Sequence, residues 1–365
     1  MRSSDAEALI RWYDQVKRPL PWRENVDPYR VLVSEVMLQQ TTVAAVVPKY
    51  ERWMRRFPTV EALARAPIEE VLGYWSGLGY YQRARRLHAT AQAVVQAGEF
   101  PYRYAALQEL PGIGAYTAAA MASICFEQPV LAVDTNVVRT LFRYYALRAV
   151  PGDRTATKAI EAATEPVLRS VSPGEFNQAL MELGARICSV TKAECSVCPL
   201  RRGCRGRRLT EGPEKLPLSK PRKEVKVTPG DAVVLTRTES GESLLLRGTS
   251  IGLLGDLYQP PMLFAEAEGE HARLCSRLTE LCDFEALSPS AEFVYGISGR
   301  KLVLRCFGVS LGEEEARAVE EMVGTSQVAR LWWSPLQEEP RPLSTLTRKI
   351  LEKVRGSSQA SPLSE

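Results

Sequence analysis

Between Cys188 and Cys204 four cysteines stand at spacings of x6, x2 and x5, with no histidine among them. Four thiolates so placed can close one compact tetrahedral site, for zinc or for an iron–sulfur cluster. Zinc sites more often pair two Cys-x2-Cys elements across a longer loop, so the spacing leans toward a [4Fe–4S] cluster on Cys188, Cys195, Cys198 and Cys204. Cys125, Cys275, Cys282 and Cys306 lie in apolar settings and read as core residues. Two carboxylates offer a second chemistry. Glu35, in VLVSEVMLQQ, has Val31 and Leu32 one turn back and Leu38 one turn forward, so helical spacing sets its carboxyl on an apolar face. Desolvation there raises its pKa and lets it hold a proton near neutrality, although a buried structural glutamate has the same signature. Asp134, in LAVDTNVVRTLF, precedes the apolar-periodic Val137, Val138, Leu141 and Phe142 as a helix N-cap, a position that keeps a carboxylate ionised. One carboxylate kept protonated and another kept charged is the division of labour of glycosyl-transfer sites.

A third feature is LPGIGAYTAAA, residues 110–120. The helical YRYAALQEL, the turn Pro111-Gly112-Ile113-Gly114 and the helical AYTAAAMASICF read as helix, hairpin and helix. The first N–H groups of the second helix lack intrahelical partners, and Gly112 and Gly114 allow close approach of a backbone, so the segment makes a phosphate seat. An ordinary αα corner shares this pattern.

The elements that must carry these residues divide in two. At 365 residues the chain has room for two domains, and 45% hydrophobic content supports packed cores. Residues 1–208 read as helices, Ala-rich and apolar at i, i+3 and i+4. Residues 209–228 are rich in Lys, Arg, Pro and Gly, the composition of a solvated linker. Residues 229–355 mix strand-like runs (DAVVLTR, ESLLLRG, KLVLRCFGV) with helical ones, and 356–365 read as a disordered tail. The net charge of +4 is small, but RRGCRGRR concentrates arginine beside Cys204 and points to an anionic partner. No run of residues reaches membrane-spanning length and no apolar leader is evident, so a cytosolic location is expected, with thiols reduced and disulfides unformed. Two histidines, His88 and His271, leave little room for histidine chemistry.

Together the hairpin and the cysteine pattern resemble the helix-hairpin-helix DNA glycosylases that carry an iron–sulfur cluster. PWR, SEVMLQQTTV, GLGYYQRARRLH, LPGIGAYTA, VDTNVVR and FNQALMELGARIC, in that order, resemble the MutY-type adenine DNA glycosylases. The resemblance implies an all-α glycosylase domain with a [4Fe–4S] loop, followed by an α+β Nudix-like domain. It also implies excision of adenine mispaired with 8-oxoguanine or guanine, by a monomer acting on double-stranded DNA in the cytoplasm, at the nucleoid. It assigns Glu35 as acid and later water activator, Asp134 as electrostatic stabiliser and transient nucleophile, and Asn136 as an orienting neighbour. Thr135 stands where the family often has glycine. Gln40 and Tyr80 match gap-filling positions, and Trp22, Arg23, Leu38 and Gln178 an adenine pocket; Gln40 as a helix-end residue and Tyr80 as one of several loop aromatics are the plainer readings. Relatives that also cut the DNA backbone carry a lysine where this chain has Tyr116, so a monofunctional enzyme is expected, with Tyr116 either packing or taking a polar part at the site.

SLLLRGTSIGLLGDLYQPP and LWWSPLQEEPRPLSTLTRKIL carry the Nudix-like resemblance. EGEHARLCSRLTEL lacks the clustered glutamates of a Nudix hydrolase, which leaves damage recognition as the role of this domain. There the family's Phe-Ser-His loop aligns with Ile297-Ser298-Gly299, so Ser298 is the remaining lesion contact. Two alternatives stand: a thymine or uracil mismatch glycosylase of the same superfamily, and a non-enzymatic, metal-braced DNA-binding module.

Overall fold

The computed structural model describes residues 1–219, 224–249, 251, 257–281, 287–297, 299–326, 328, 330–333 and 343–358. It divides into two compact units, Met1–Ala66 with Gln82–Arg222, and Pro67–Tyr81 with Lys223–Glu365.

The first unit is helical: α1 (Ser3–Val16), α2 (Pro28–Leu38), α3 (Val43–Arg56), α4 (Val60–Arg65), α6 (Gln82–Ala97), α7 (Tyr104–Glu109), α8 (Ala115–Phe126), α9 (Thr135–Tyr145), α10 (Arg154–Leu168) and α11 (Pro173–Arg186); α5 (Ile68–Tyr74) belongs to the second. The starts are fixed by local chemistry. Asp27 accepts a bond from Arg30 N with Pro28 opening α2, and Ser172 accepts one from Glu175 N with Pro173 opening α11. Leu9, Tyr13, Leu141, Phe142, Ile160, Phe176 and Leu183 form a core joining α1, α9, α10 and α11. Each such side chain fully buried contributes roughly 1.5 to 3 kcal/mol. The alanine-rich α8 packs against α2, α7 and α11, close approaches that small side chains permit. This packing brings the middle of α2 and the start of α8 together.

Composition marks 209–228 as solvated, but its first half docks on this unit. A short 3₁₀ turn spans Pro213–Lys215, Leu216 is buried, and its carbonyl accepts a bond from Arg143 Nε at 2.8 Å. A buried arginine with a fixed carbonyl partner holds the chain where charge and proline content alone suggest a free strand.

The second unit is α+β. Its strands are β1 (Lys226–Arg237), β2 (Ser243–Arg247), β3 (Tyr258–Gln259), β4 (Met262–Phe264), β5 (Ala291–Ile297), β6 (Arg300–Leu311) and β7 (Arg330–Trp333). They form one sheet in the order β3-β2-β1-β6-β5, with β4 also on β1 and β7 also on β2. β1 and β6 run parallel and the other pairs antiparallel. Helices cover both faces. α14 (Thr345–Ser358) buries Leu346, Ile350 and Val354 against Val234, Leu302 and Leu304; α12 (Glu270–Leu281) and α13 (Glu313–Gly324) pack Leu274, Leu278 and Val319 against Val233, Leu235 and Leu244. Alternate side chains of β1 thus enter opposite cores. The segment Pro67–Tyr81 is tied to this unit by Ser76 Oγ and Tyr81 OH, which donate to Leu343 O at 3.0 and 2.7 Å. Of the cysteines expected in cores, Cys275 and Cys306 are buried, Cys125 is half-buried, and Cys282 lies outside the described residues, as do 359–365 of the expected tail.

Candidate active site and cysteine cavity

An open cleft of about 1540 Å³ in the first unit is lined by Glu35, Tyr116, Asp134, Asn136, Gln40, Trp22, Arg23, Leu38 and Gln178. Residues from α2, α8, α9, α11 and the segment before α2 therefore meet in one place. Glu35 is 7% exposed, and its Oε2 accepts a bond from Tyr116 OH at 2.5 Å. Burial pushes its pKa up to about 7; the bond from Tyr116 and the charge of Arg23 pull it back, and the charge of Asp134 adds to the rise. Tyr116 is itself held protonated by burial and by the neighbouring carboxylates. Its hydroxyl is thus a donor to the Glu35 carboxyl.

Asp134 caps α9: Oδ1 accepts from Val137 N at 2.6 Å and Oδ2 from Asn136 Nδ2 at 2.9 Å. Its helix-start position alone suggests a carboxylate held low, yet burial raises its pKa, opposed by those bonds and by Arg139. The N-cap is set into a cleft wall and not into open solvent, and desolvation is the stronger effect. Asn136 Oδ1 accepts from Arg139 Nη2 at 2.8 Å; the same guanidinium reaches Gly184 O at 2.7 Å and Cys188 O at 2.8 Å. A Cβ on Gly184 would stand 2.6 Å from Asn136 Cβ, so only glycine allows α11 to cross α9 this closely.

Three functional candidates escape sequence reasoning. Glu182, 1% exposed on α11, accepts two bonds from Arg18 at 2.6 and 3.0 Å and one from Arg23 at 3.1 Å. Burial pushes its pKa up, but the bonds and charge of Arg18 and Arg23 outweigh it and hold the carboxyl below its ordinary value. Arg23 also lies over the Tyr13 ring at 5.3 Å, and Tyr13 OH donates to Gln178 Oε1 at 3.1 Å. Tyr13, Arg18 and Glu182 thus hold two residues of the cleft wall, Arg23 and Gln178, in place. Tyr13 and Arg18 lie more than 150 residues from their partners, so no local pattern signals these pairings.

Gly112 and Gly114 stand at the hairpin between α7 and α8 and do not line the cleft. Gly112 has φ +82°, and a Cβ there would meet Arg86 Cβ at 2.4 Å, so the turn needs glycine twice over. Thr90 Oγ1 donates to Pro111 O at 2.6 Å and pins the hairpin to α6. Gly114, the N-cap of α8, faces open space. Gln40, just past α2, and Tyr80, in the second unit, share an unusual trait: both are exposed and adopt left-handed φ, +60° and +48°. The other described non-glycine residues with positive φ, Glu127 and Ala146, are helix C-caps. Ile297 ends β5 and packs against the core, Gly299 turns the β5–β6 hairpin at φ +75°, and Ser298 lies outside the described residues.

Cys188, Cys195, Cys198 and Cys204 line one small cavity, distinct from the cleft, with Thr140 and Arg143 on its wall. Arg143 Nη1 approaches Cys188 Sγ at 3.4 Å. Burial raises the pKa of the Cys198 and Cys204 thiols, to about 12 for Cys198. Among the described residues no three His, Cys, Asp or Glu side chains converge closely enough to hold one metal ion; the thiols instead surround a shared space. The metal-ligating side chains that line this cavity are all cysteines, a donor set that suits zinc or an iron–sulfur cluster.

Residues 33–166 match the family model of the HhH-GPD superfamily base excision DNA repair proteins. An adenine DNA glycosylase of Mycolicibacterium smegmatis is 42% identical over 204 residues, covering 54% of this chain and 68% of that one. This chain belongs to the adenine DNA glycosylase family of that superfamily. The human adenine DNA glycosylase is 45% identical over 215 residues, 56% of this chain and 39% of that protein; the Arabidopsis thaliana one is 37% identical over 302 residues, 72% and 48%. This family member spans about two fifths of the length of its mammalian relatives. A solved thermostable thymine-DNA glycosylase is 27% identical with a TM-score of 0.49, covering 55% of this chain and 93% of that one. No described helix is long and apolar enough to cross a membrane.

Proposed function

We propose that this chain is a base-excision repair enzyme that removes adenine mispaired with 8-oxoguanine or guanine in double-stranded DNA, without a lyase step. The observation that carries it is Glu35, with a pKa of about 7, hydrogen-bonded to Tyr116 in the cleft that also holds Asp134. Breaking an N-glycosidic bond requires a proton on the departing base and a negative charge beside the sugar cation that remains. Protonated Glu35 supplies the first. Asp134 supplies the second, its charge upheld by Val137 N, Asn136 and Arg139. Once the base leaves, Glu35 is a carboxylate and takes the proton of the water that adds to the sugar, which returns it to its starting state. The alternative covalent intermediate on an amine is not open to Tyr116.

Extruding a base costs a few kcal/mol of stacking, offset by side chains that fill the gap. The exposed, left-handed Gln40 and Tyr80 suit this use, since strained backbone persists where function requires a side chain to project. The hairpin at Gly112 to Gly114 would seat a phosphate, and Trp22, Arg23, Leu38 and Gln178 would enclose the adenine. Cys188, Cys195, Cys198 and Cys204 would hold a [4Fe–4S] cluster, which would brace the arginine-rich loop around Cys204 against DNA. The second unit would read the opposite base through the β5–β6 hairpin, with Ser298 as its contact.

Single-turnover release of free base from duplexes carrying A:8-oxoguanine, A:guanine, T:guanine and U:guanine tests the reading. Adenine should leave the first two, with strands intact until alkali is added. Release of thymine or uracil would identify the sister activity, and binding without release a non-enzymatic module.

A further inference from the structure

On the wall of the cavity bounded by the four cysteines stands a polar group that no described residue bonds. Thr140, on α9, is 3% exposed; its Oγ1 is buried and has no hydrogen-bond partner among the described residues. It lines the cavity together with the thiols. Buried hydroxyls on helices have a ready solution, donation to the carbonyl four residues back. This chain uses it elsewhere: Ser123 donates to Ala119 O at 2.7 Å and Thr164 to Ile160 O at 2.7 Å. Thr140 has not taken it. A buried hydroxyl left without a partner is rare in folded proteins, and it points to an acceptor that the polypeptide does not supply.

We infer that the Thr140 hydroxyl donates a hydrogen bond into the metal–sulfur group held by Cys188, Cys195, Cys198 and Cys204. This rests on the cluster reading above. The acceptor chemistry follows from the donor: thiolate and sulfide sulfur bear negative charge and accept hydrogen bonds, and the four thiols share the cavity with this hydroxyl. Arg143 serves the same sulfur shell from the next turn of α9, with Nη1 at 3.4 Å from Cys188 Sγ. Its guanidinium is also engaged with Cys188 O, Ser189 O, Val190 O and Leu216 O, so it orders the loop as a whole. Thr140 has no such second task. A hydrogen bond to sulfur draws electron density from the cluster, so it stabilises the more reduced state and slows loss of iron. Thr140 is in this sense a positioning and tuning residue for the cofactor, and takes no part in base release.

The test compares the full-length protein purified without air with Thr140→Val, Thr140→Ala and Thr140→Ser, each assayed for iron and sulfide content. The readouts are the cluster's midpoint potential and the rate of iron loss to a chelator. The valine and alanine variants should have lower potentials and lose iron roughly two- to tenfold faster, as expected for loss of one hydrogen bond. The serine variant, which keeps the hydroxyl, should track the wild type. Iron-loaded proteins that all behave alike overturn the hydrogen bond and leave the cluster reading standing. A serine variant that behaves like valine also overturns it, since the methyl group and not the hydroxyl would then matter. Wild-type protein that holds zinc or no metal overturns both.

Discussion

Replacing Glu35 by glutamine should make the protein more stable at alkaline pH while abolishing its chemistry. The Glu35 carboxyl is 7% exposed, and burial raises its pKa from 4.5 to about 7. In the unfolded chain the group is ionised above about 4.3. Between that pH and about 7 the folded state still holds a proton that the unfolded state has released, so stability falls as pH rises through this window and is lowest above it. A shift of this size corresponds to about 3 kcal/mol. Glutamine has the same shape, its amide oxygen can still accept from Tyr116, and it has no charge to desolvate. At pH 8.5 the Glu35→Gln protein should therefore be more stable than wild type by up to about 3 kcal/mol, and at pH 4 by almost nothing. For a domain of this size that gap is roughly 6 to 12 °C in melting temperature. Thermal unfolding of both proteins across pH 4 to 9, followed at the transition of the first unit, measures it. A gap that is constant with pH, or one that opens toward acid, would refute the claim that Glu35 carries an elevated pKa.

Asp134→Asn should lower base release by roughly 10²- to 10⁴-fold, the order expected of a lost charge or proton-transfer group, while duplex binding by gel shift stays within a few-fold of wild type; near-normal release would remove Asp134 from the mechanism. Tyr116→Phe removes a bond that lowers the Glu35 pKa, so the pH above which release declines should move upward, by about one to two pH units, and a limb that stays in place would show that the bond does not tune the acid. Glu182→Leu leaves Arg18 and Arg23 facing an apolar side chain and should destabilise the first unit by about 3 kcal/mol in denaturant melts near neutrality. Because the Glu182 pKa is depressed, that loss should shrink as pH falls through the carboxylate range; a loss independent of pH would point to packing instead.

What could be read in the sequence was local. Glu35 sits on an apolar helical stripe and Asp134 at a helix start, and both signals lie within a turn or two of the residue concerned. The hairpin turn was legible in the same way, through glycines whose backbone demands are intrinsic, whereas Tyr116 was reached through the resemblance, at a position where relatives carry lysine. Neither the clasp of Glu182 on Arg18 and Arg23 nor the bond of Tyr13 to Gln178 could be read, because α1 and α11 come together only through the shared core of Leu9, Tyr13, Phe176 and Leu183. The rise in the Asp134 pKa was hidden for a related reason: a cap signals its hydrogen bonds but not the wall it faces. In the second unit, strand content was evident from β-branched runs, whereas the parallel pairing of β1 with β6 joins residues more than 70 positions apart and has no local mark.

Gly184 carries no functional group, and it lies on a helix whose other residues are the ones that would attract attention. Yet a single added methyl there would reach Asn136 at 2.6 Å, and through Asn136 the carboxylate of Asp134. Variation in this protein is therefore unevenly tolerated in a way that distance from the cleft does not describe. Exchanging glycine for alanine at this one position places a methyl where α9 already stands, so the frame on which the wall is mounted must shift. A catalogue of inactive variants should accordingly contain substitutions at a residue that touches neither substrate nor metal, and whose contribution is the space it leaves empty.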